Sequence, residues 1–121
     1  MRTALLFPGQ GAQYVGILSG VVAEPVVRET LEQADAALAL PLSRWVLRGP
    51  ADQLASTPIT QPAVLTVSVA LWRLLTQRHP RLAPIAAGGH SLGEYSALVA
   101  AGALDFEDAG RVVHLRGRLM Q

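Results

Sequence analysis

The spacing of apolar residues along the chain predicts short buried strands separated by helices. The apolar runs Thr3–Phe7 and Leu82–Ala87 have the length of buried strands, and proline or glycine follows each of them. Pro25–Leu38 repeats apolar positions at helical spacing and reads as an amphipathic surface helix, whereas Ala63–Gln77 is apolar on nearly every side and reads as a buried helix. This alternation predicts an α/β fold.

Capping residues set the expected helix boundaries. Thr60 can cap the buried helix, with Pro62 in its first turn. Asp105 is expected to cap the last helix, and Gly102 is expected to end the one before it.

The segment Gly89-His90-Ser91-Leu92-Gly93 has the pattern G-x-S-x-G. It lies between the predicted strand Leu82–Ala87 and a helical run, Glu94–Ala101, which is the setting of a nucleophile elbow. In that setting Ser91 would be an exposed nucleophile, and the N–H of Leu92 would stabilise an oxyanion formed on it. A glycine-rich turn that merely contains a serine is the alternative, but the flanking strand and helix favour the elbow.

A second glycine-rich loop, Gly9–Gln13, follows the first strand. It lacks the spacing of a dinucleotide or phosphate-binding loop, so its notable residue is Gln10. The amide of Gln10 could bond a ligand at the carboxyl end of a strand, where open α/β sheets bind their ligands. An ordinary exposed turn glutamine explains the same pattern equally well.

A helical wheel of the last helix places Arg116 in the middle of an apolar face. The other members of this face are Ala109, Val112, Val113 and Met120. An arginine there is costly unless its guanidinium has a partner, and a carboxylate suits its planar fork. The partner could be a substrate carboxylate or an internal acid, and the side chain could also reach solvent along the helix.

Composition narrows the function classes. Of the 121 residues 50% are hydrophobic and 16% are charged, which is typical of a globular domain, and the net charge of +1 indicates neither a nucleic-acid nor an anionic-membrane partner. The absence of cysteine excludes disulfides and thiolate chemistry and is consistent with a cytoplasmic protein. The apolar run at the N-terminus is too short for a membrane span or a signal peptide.

Four motifs, in order and with compatible spacing, resemble the malonyl-CoA:acyl-carrier-protein transacylase family of fatty-acid and polyketide synthesis. They are Phe7-Pro8-Gly9-Gln10-Gly11-Ala12-Gln13, Thr60-Gln61-Pro62-Ala63, Gly89-His90-Ser91-Leu92-Gly93-Glu94-Tyr95-Ser96-Ala97-Leu98 and Arg116-Gly117. The resemblance implies an α/β-hydrolase-like larger subdomain with a parallel sheet and an inserted ferredoxin-like subdomain. Residues 1–121 resemble the N-terminal part of the larger subdomain, without the ferredoxin-like part.

The resemblance assigns a role to each candidate residue. Ser91 matches the acylated nucleophile, Gln10 and the N–H of Leu92 match the oxyanion hole, and Arg116 matches the arginine that binds the malonyl carboxylate. It implies ping-pong transfer of a malonyl group from malonyl-CoA to the phosphopantetheine thiol of acyl carrier protein. Malonyl-CoA is a substrate, and neither a cofactor nor a metal is implied.

The family's general-base histidine lies beyond its small subdomain, outside residues 1–121. His79 and His114 are expected at the surface, and His90 cannot easily turn onto the adjacent serine. The C-terminal half of the same enzyme is therefore an expected partner. Two other functions compete: a serine esterase or thioesterase of the α/β-hydrolase type, which would not explain Arg116, and a non-catalytic fragment that only docks a partner.

We expect residues 1–121 alone to be neither a competent enzyme nor a stable monomer. The base is missing, and few strands are present to cover helices that read as buried, so apolar surface and strand edges would face water. Size-exclusion chromatography, amide exchange and a malonyl-transfer assay test this. A monodisperse, well-protected monomer that turns over malonyl-CoA unaided would contradict it.

Overall fold

A computed structural model describes residues 2–121, which form an α/β arrangement of two strands and six helices. In chain order the elements are β1 (Ala4–Phe7), α1 (Pro25–Leu38), α2 (Leu42–Arg48), α3 (Ala51–Ala55), α4 (Thr57–Arg78), β2 (Ala86–Gly89), α5 (Gly93–Ala100) and α6 (Phe106–Met120). The α/β class predicted from the apolar pattern is confirmed.

The two strands run parallel and end at the same edge of the sheet. Ala4 pairs with Ala86 at one end, and Phe7 pairs with Gly89 at the other. The pairing continues by one bond, because the His90 N–H donates to the Phe7 carbonyl at 3.3 Å. The loop that follows β1 and the turn that follows β2 therefore start side by side.

The core is built around α4, which packs against α1, α5 and α6. Its length and apolar composition would suffice for a membrane span, but 72% of the relevant window is buried inside the domain, as in a core helix. Its one partly buried cation is Arg73, which lies over the Phe106 ring and donates to Thr30 and Gln33. Burial lowers the pKa of Arg73, and the charges of Asp105 and Glu29 oppose that shift.

Helix α4 begins at Thr57, so the predicted start with a Thr60 cap and Pro62 in the first turn is wrong. Pro58 occupies the first turn instead, and the Thr60 hydroxyl donates to the Leu54 carbonyl. Pro62 lies inside the helix and has no N–H for the Pro58 carbonyl. His114 Nδ1 donates to that carbonyl at 2.9 Å, so His114 is half-buried rather than a simple surface residue.

Several other boundaries differ from the sequence expectation by a few residues. Strand β2 starts at Ala86 rather than Leu82, because Leu82 closes a turn onto the His79 carbonyl and Pro84 has no N–H to donate. Helices α2 and α3 lie between α1 and α4, in a stretch for which no element was predicted. The predicted Asp105 cap is confirmed, since its carboxylate accepts the Asp108 N–H at 3.2 Å.

The buried face of α6 is turned from the one that the helical wheel predicted. Val112 and Met120 are 45% and 57% exposed, so their assignment to the buried face is wrong. The residues that the fold does bury on α6 are Phe106, Ala109, Gly110, Val113 and Gly117. The cause is Gly117, where an added Cβ would lie 2.7 Å from Pro58 Cα and from the Thr57 carbonyl. Because glycine has no side chain, α6 can pack directly against the first turn of α4 at this position.

Apolar side chains on the two strands are open to solvent in the described residues. Leu6 on β1 is 86% exposed, and Ile85, next to β2, is 69% exposed. Only β1 and β2 pair in the sheet of residues 2–121, so the outer edge of each strand is unpaired there. This agrees with the apolar surface and strand edges expected from the sequence.

The contact at Gly117 predicts opposite effects for two glycines of the same helix. Gly117→Ala should destabilise the fold by about 1–3 kcal/mol, because its Cβ would force α6 away from α4. Gly110→Ala is the matched control: apart from its chain neighbours and the adjoining backbone of α6, no atom lies within 4 Å of its added Cβ, so the better helix former should stabilise by up to about 1 kcal/mol. Denaturant unfolding compares the two, and equal effects would contradict this account of the α4–α6 contact.

Candidate active site

The turn between β2 and α5 has the backbone geometry of a nucleophile elbow. Ser91 has φ of 54°, in the left-handed region that side chains other than glycine rarely adopt. A Cβ at Gly89 would collide with the carbonyl group of Gly93, and a Cβ at Gly93 would collide with the Phe7 carbonyl. The two glycines of G-x-S-x-G therefore let strand, turn and helix approach each other closely, and the predicted strand–turn–helix context is confirmed.

The elbow exposes the serine and anchors the residue after it. Ser91 is exposed, whereas the Leu92 side chain is only 1% exposed and belongs to the apolar core. Leu92 stands at the N-cap position of α5, where the first N–H groups have no intrahelical acceptor and the helix dipole is positive. Its N–H is therefore suitably located to stabilise negative charge on a group bound to Ser91.

Gln10 lies in the loop after β1, at the same edge of the sheet as the elbow. Its side chain is exposed, and its Nε2 donates to Thr57 Oγ1 at the start of α4 over a long distance of 3.4 Å. A contact this weak leaves the amide free to turn towards a ligand. The structure thus brings Gln10 to the edge where Ser91 stands and shows no hydrogen bond between them within residues 2–121.

Arg116 contacts the serine directly. Its Nη2 donates to Ser91 Oγ at 3.0 Å, and its Nη1 donates to Gln61 Oε1 at 2.8 Å. The guanidinium also lies over the ring of Tyr95, with 5.7 Å from Cζ to the ring centroid. The side chain is half-buried, and the ion pairs found within residues 2–121 do not include it. In the described part of the chain, its partners are therefore a neutral amide, a hydroxyl and an aromatic ring rather than an internal acid.

Gln61 was not among the site residues predicted from the sequence, where it appeared only within the motif Thr60-Gln61-Pro62-Ala63. It is fully buried in α4, where it accepts from Arg116 and donates from Nε2 to Met120 Sδ at 3.4 Å. The sequence feature that could have indicated its role is a polar amide in a helix that is otherwise apolar on nearly every side. A buried amide requires partners, and its partner here is the candidate arginine.

The histidines occupy other positions. His90 is exposed, and its backbone is tied to Phe7. His79 follows α4 and is exposed, while the ring of His114 is bound to the Pro58 carbonyl. Within residues 2–121 the only side chain hydrogen-bonded to Ser91 Oγ is Arg116, so a general base for this serine remains a prediction.

Both the sequence and the fold of the chain are similar to those of known proteins. The acyl transferase domain family matches residues 4–121. The malonyl CoA-acyl carrier protein transacylase of Haemophilus influenzae is 53% identical over 121 residues, covering 99% of this chain. The acyl-carrier-protein S-malonyltransferase of Burkholderia pseudomallei superposes with a TM-score of 0.96 at 46% identity, covering 99% of this chain and 39% of its own.

A second solved structure is a complex. It holds a type II PKS acyl-carrier protein with its malonyl-transacylase, and the matched chain is 48% identical with a TM-score of 0.94. This chain spans 39% of that protein and 39% of the Haemophilus influenzae transacylase. The match covers nearly the whole of the present chain, including the elbow and α6, and the chain belongs to the acyl transferase domain family.

Proposed function

We propose that the protein containing this chain transfers a malonyl group from malonyl-CoA to the phosphopantetheine thiol of acyl carrier protein. The observation that carries this proposal is the guanidinium of Arg116, held 3.0 Å from Ser91 Oγ. A cation beside the nucleophile suits an acyl group that has a second, free carboxylate. The names of the relatives support the same substrates, because they are malonyl CoA-acyl carrier protein transacylases.

The first half-reaction acylates Ser91. Its Oγ attacks the thioester carbonyl and loses its proton to a general base, which we expect outside residues 1–121. The Leu92 N–H and the Gln10 amide are proposed to hold the resulting oxyanion. Collapse of the tetrahedral intermediate breaks the carbon–sulfur bond, and the CoA thiolate leaves and takes up a proton.

The second half-reaction repeats these steps with another thiol. The phosphopantetheine sulfur attacks the ester carbonyl of malonyl-Ser91, and the serine oxygen leaves and regains its proton. Because the serine carries the acyl group between the two steps, the proposed chemistry requires neither a metal nor a cofactor.

Arg116 is proposed to select the substrate. The malonyl carboxylate is only a few bonds from the esterified oxygen, so it falls within reach of the guanidinium that contacts Ser91 Oγ in the free protein. The carboxylate would replace the hydroxyl as the acceptor for Nη2. A charge-assisted pair is about twice as strong as a neutral hydrogen bond, so this exchange favours the malonyl over an uncharged acyl group.

The proposed partners follow from this reaction. They are malonyl-CoA, acyl carrier protein and a C-terminal half of the same enzyme that supplies the base; a nucleic acid and a membrane are not expected. The structure of a malonyl-transacylase with its acyl-carrier protein supports the carrier as partner. Soluble fatty-acid synthesis fits a cytoplasmic location, which we retain as a prediction.

A serine esterase or thioesterase remains the competing function. It would use the same elbow and oxyanion donors, but it prefers neutral acyl groups. A cation in contact with the nucleophile would bring no benefit to such an enzyme. The geometry therefore favours the transacylase.

Acylation is expected at a single residue. Incubating the full-length protein with malonyl-CoA should add one malonyl group to Ser91, since among the serines of residues 2–121 only Ser91 has the elbow geometry. Intact-mass analysis and peptide mapping detect the adduct, with Ser91→Ala as the unlabelled control. Labelling that persists in Ser91→Ala would refute the assignment.

Substrate preference is expected to depend on Arg116. Arg116→Ala should weaken transition-state binding of malonyl-CoA by about 2–5 kcal/mol, the cost of truncating one partner of a charged hydrogen-bonded pair, with little effect on acetyl-CoA. The ratio of kcat/KM for the two thioesters measures this effect. Arg118→Ala, on the exposed surface of the same helix, is the control and should keep the ratio. An equal loss with both thioesters would show that Arg116 is structural.

A further inference from the structure

We infer that Gln61 is a positioning residue that directs Arg116 towards the acyl group and that its side chain must be neutral to do so. The inference rests on the proposed function, because it concerns how Arg116 recognises a carboxylate. Gln61 does not touch the reacting atoms; it acts through the guanidinium.

Both ends of the Gln61 amide are bound. Oε1 accepts from Arg116 Nη1 at 2.8 Å, and Nε2 lies 3.4 Å from Met120 Sδ, one turn further along α6. The residue is fully buried, so water does not compete for the amide. Oε1 is therefore a fixed acceptor that orients one arm of the guanidinium fork and leaves Nη2 directed at Ser91 Oγ.

The backbone around Gln61 fixes the distance between the two helices. Gly117, the residue after Arg116, lies against Thr57 and Pro58, one turn before Gln61 on α4. This contact sets how closely α6 approaches α4, and it places Arg116 within reach of Gln61. The position of the guanidinium thus depends on α4 more than on the long, flexible arginine side chain itself.

The chemistry of a carboxylate receptor explains an amide at this position. A glutamate of the same size would also accept from Nη1, but its negative charge would form an internal ion pair with Arg116. Such a pair would already neutralise the guanidinium, so a substrate carboxylate would have to compete with the internal one. Glutamine supplies the acceptor without the charge. The guanidinium keeps its full positive charge for the ligand, consistent with its absence from the ion pairs of residues 2–121.

Two nearly isosteric substitutions separate orientation from charge. Gln61→Glu keeps an acceptor and adds a negative charge, whereas Gln61→Met keeps the shape and removes the strong acceptor. Gln77 lies on the same helix but is exposed, so Gln77→Glu and Gln77→Met are matched controls. All variants are made in the full-length protein.

The readout is the ratio of kcat/KM for malonyl-CoA to that for acetyl-CoA, measured on one preparation of each variant. The concentration of folded enzyme cancels in this ratio, so a variant that only folds less completely keeps the wild-type ratio. We expect Gln61→Glu to lower the ratio by about tenfold or more, because the new carboxylate occupies Arg116. Gln61→Met should lower it by about threefold to tenfold, because the guanidinium loses its fixed acceptor. Both Gln77 controls should keep the wild-type ratio.

The outcomes distinguish the inference from the proposed function. If wild-type protein prefers malonyl-CoA and Arg116→Ala abolishes the preference, but both Gln61 variants behave like the Gln77 controls, the positioning role is wrong and the proposed function stands. A wild-type ratio in Gln61→Met alone would also overturn the positioning role. If the wild-type protein itself shows no preference for malonyl-CoA, the proposed function fails and the inference fails with it.

Discussion

The candidate site depends on one group, the guanidinium of Arg116. It joins α6 to the buried amide of Gln61 on α4 and to the hydroxyl of Ser91 at the elbow. The ring of Tyr95 on α5 lies beneath it. One side chain therefore ties together three helices and the nucleophile. Because its partners within residues 2–121 are neutral, no described acid neutralises its charge, and we propose that this charge binds an anionic acyl group.

Close backbone approach makes this interaction possible. Gly89 and Gly93 allow the turn that exposes Ser91, and Gly117 allows α6 to rest on the first turn of α4. Each contact removes space that a single methyl group would need. The geometry of the site therefore depends on three glycines as well as on its polar groups. Ser91 keeps its positive φ because the closely packed backbone around it holds the turn in this conformation.

The sequence predicted the local features of this arrangement well. The bounds of α1, the Asp105 cap and the elbow were readable because each depends on neighbouring residues, through helical spacing, capping chemistry and the G-x-S-x-G pattern. The prediction that Arg116 needs a partner was also local, since it followed from its position among apolar residues. The roles of Ser91, Gln10, Leu92 and Arg116 remain predictions that rest on geometry and resemblance.

The features that the sequence did not predict depend on contacts between distant segments. The buried face of α6 is set by Gly117 against Pro58, a contact that a helical wheel of α6 alone does not contain. The start of α4 was misplaced because Pro62 reads as a first-turn proline. Inside the helix Pro62 leaves the Pro58 carbonyl without its usual donor, and the ring of His114, which is distant in sequence, donates to that carbonyl instead. Gln61 was overlooked for the same reason, since its partner lies on another helix.

We propose that Arg116, whose charge no described acid neutralises, binds the free carboxylate of the acyl group on Ser91. A crystal structure of the full-length protein trapped as the malonyl-Ser91 ester tests this most directly. We expect a carboxylate oxygen within hydrogen-bonding distance of Arg116 Nη2, with the bond from Nη1 to Gln61 Oε1 retained. A malonyl carboxylate directed away from Arg116, with the guanidinium still on Gln61 and no contact to the acyl group, would contradict it.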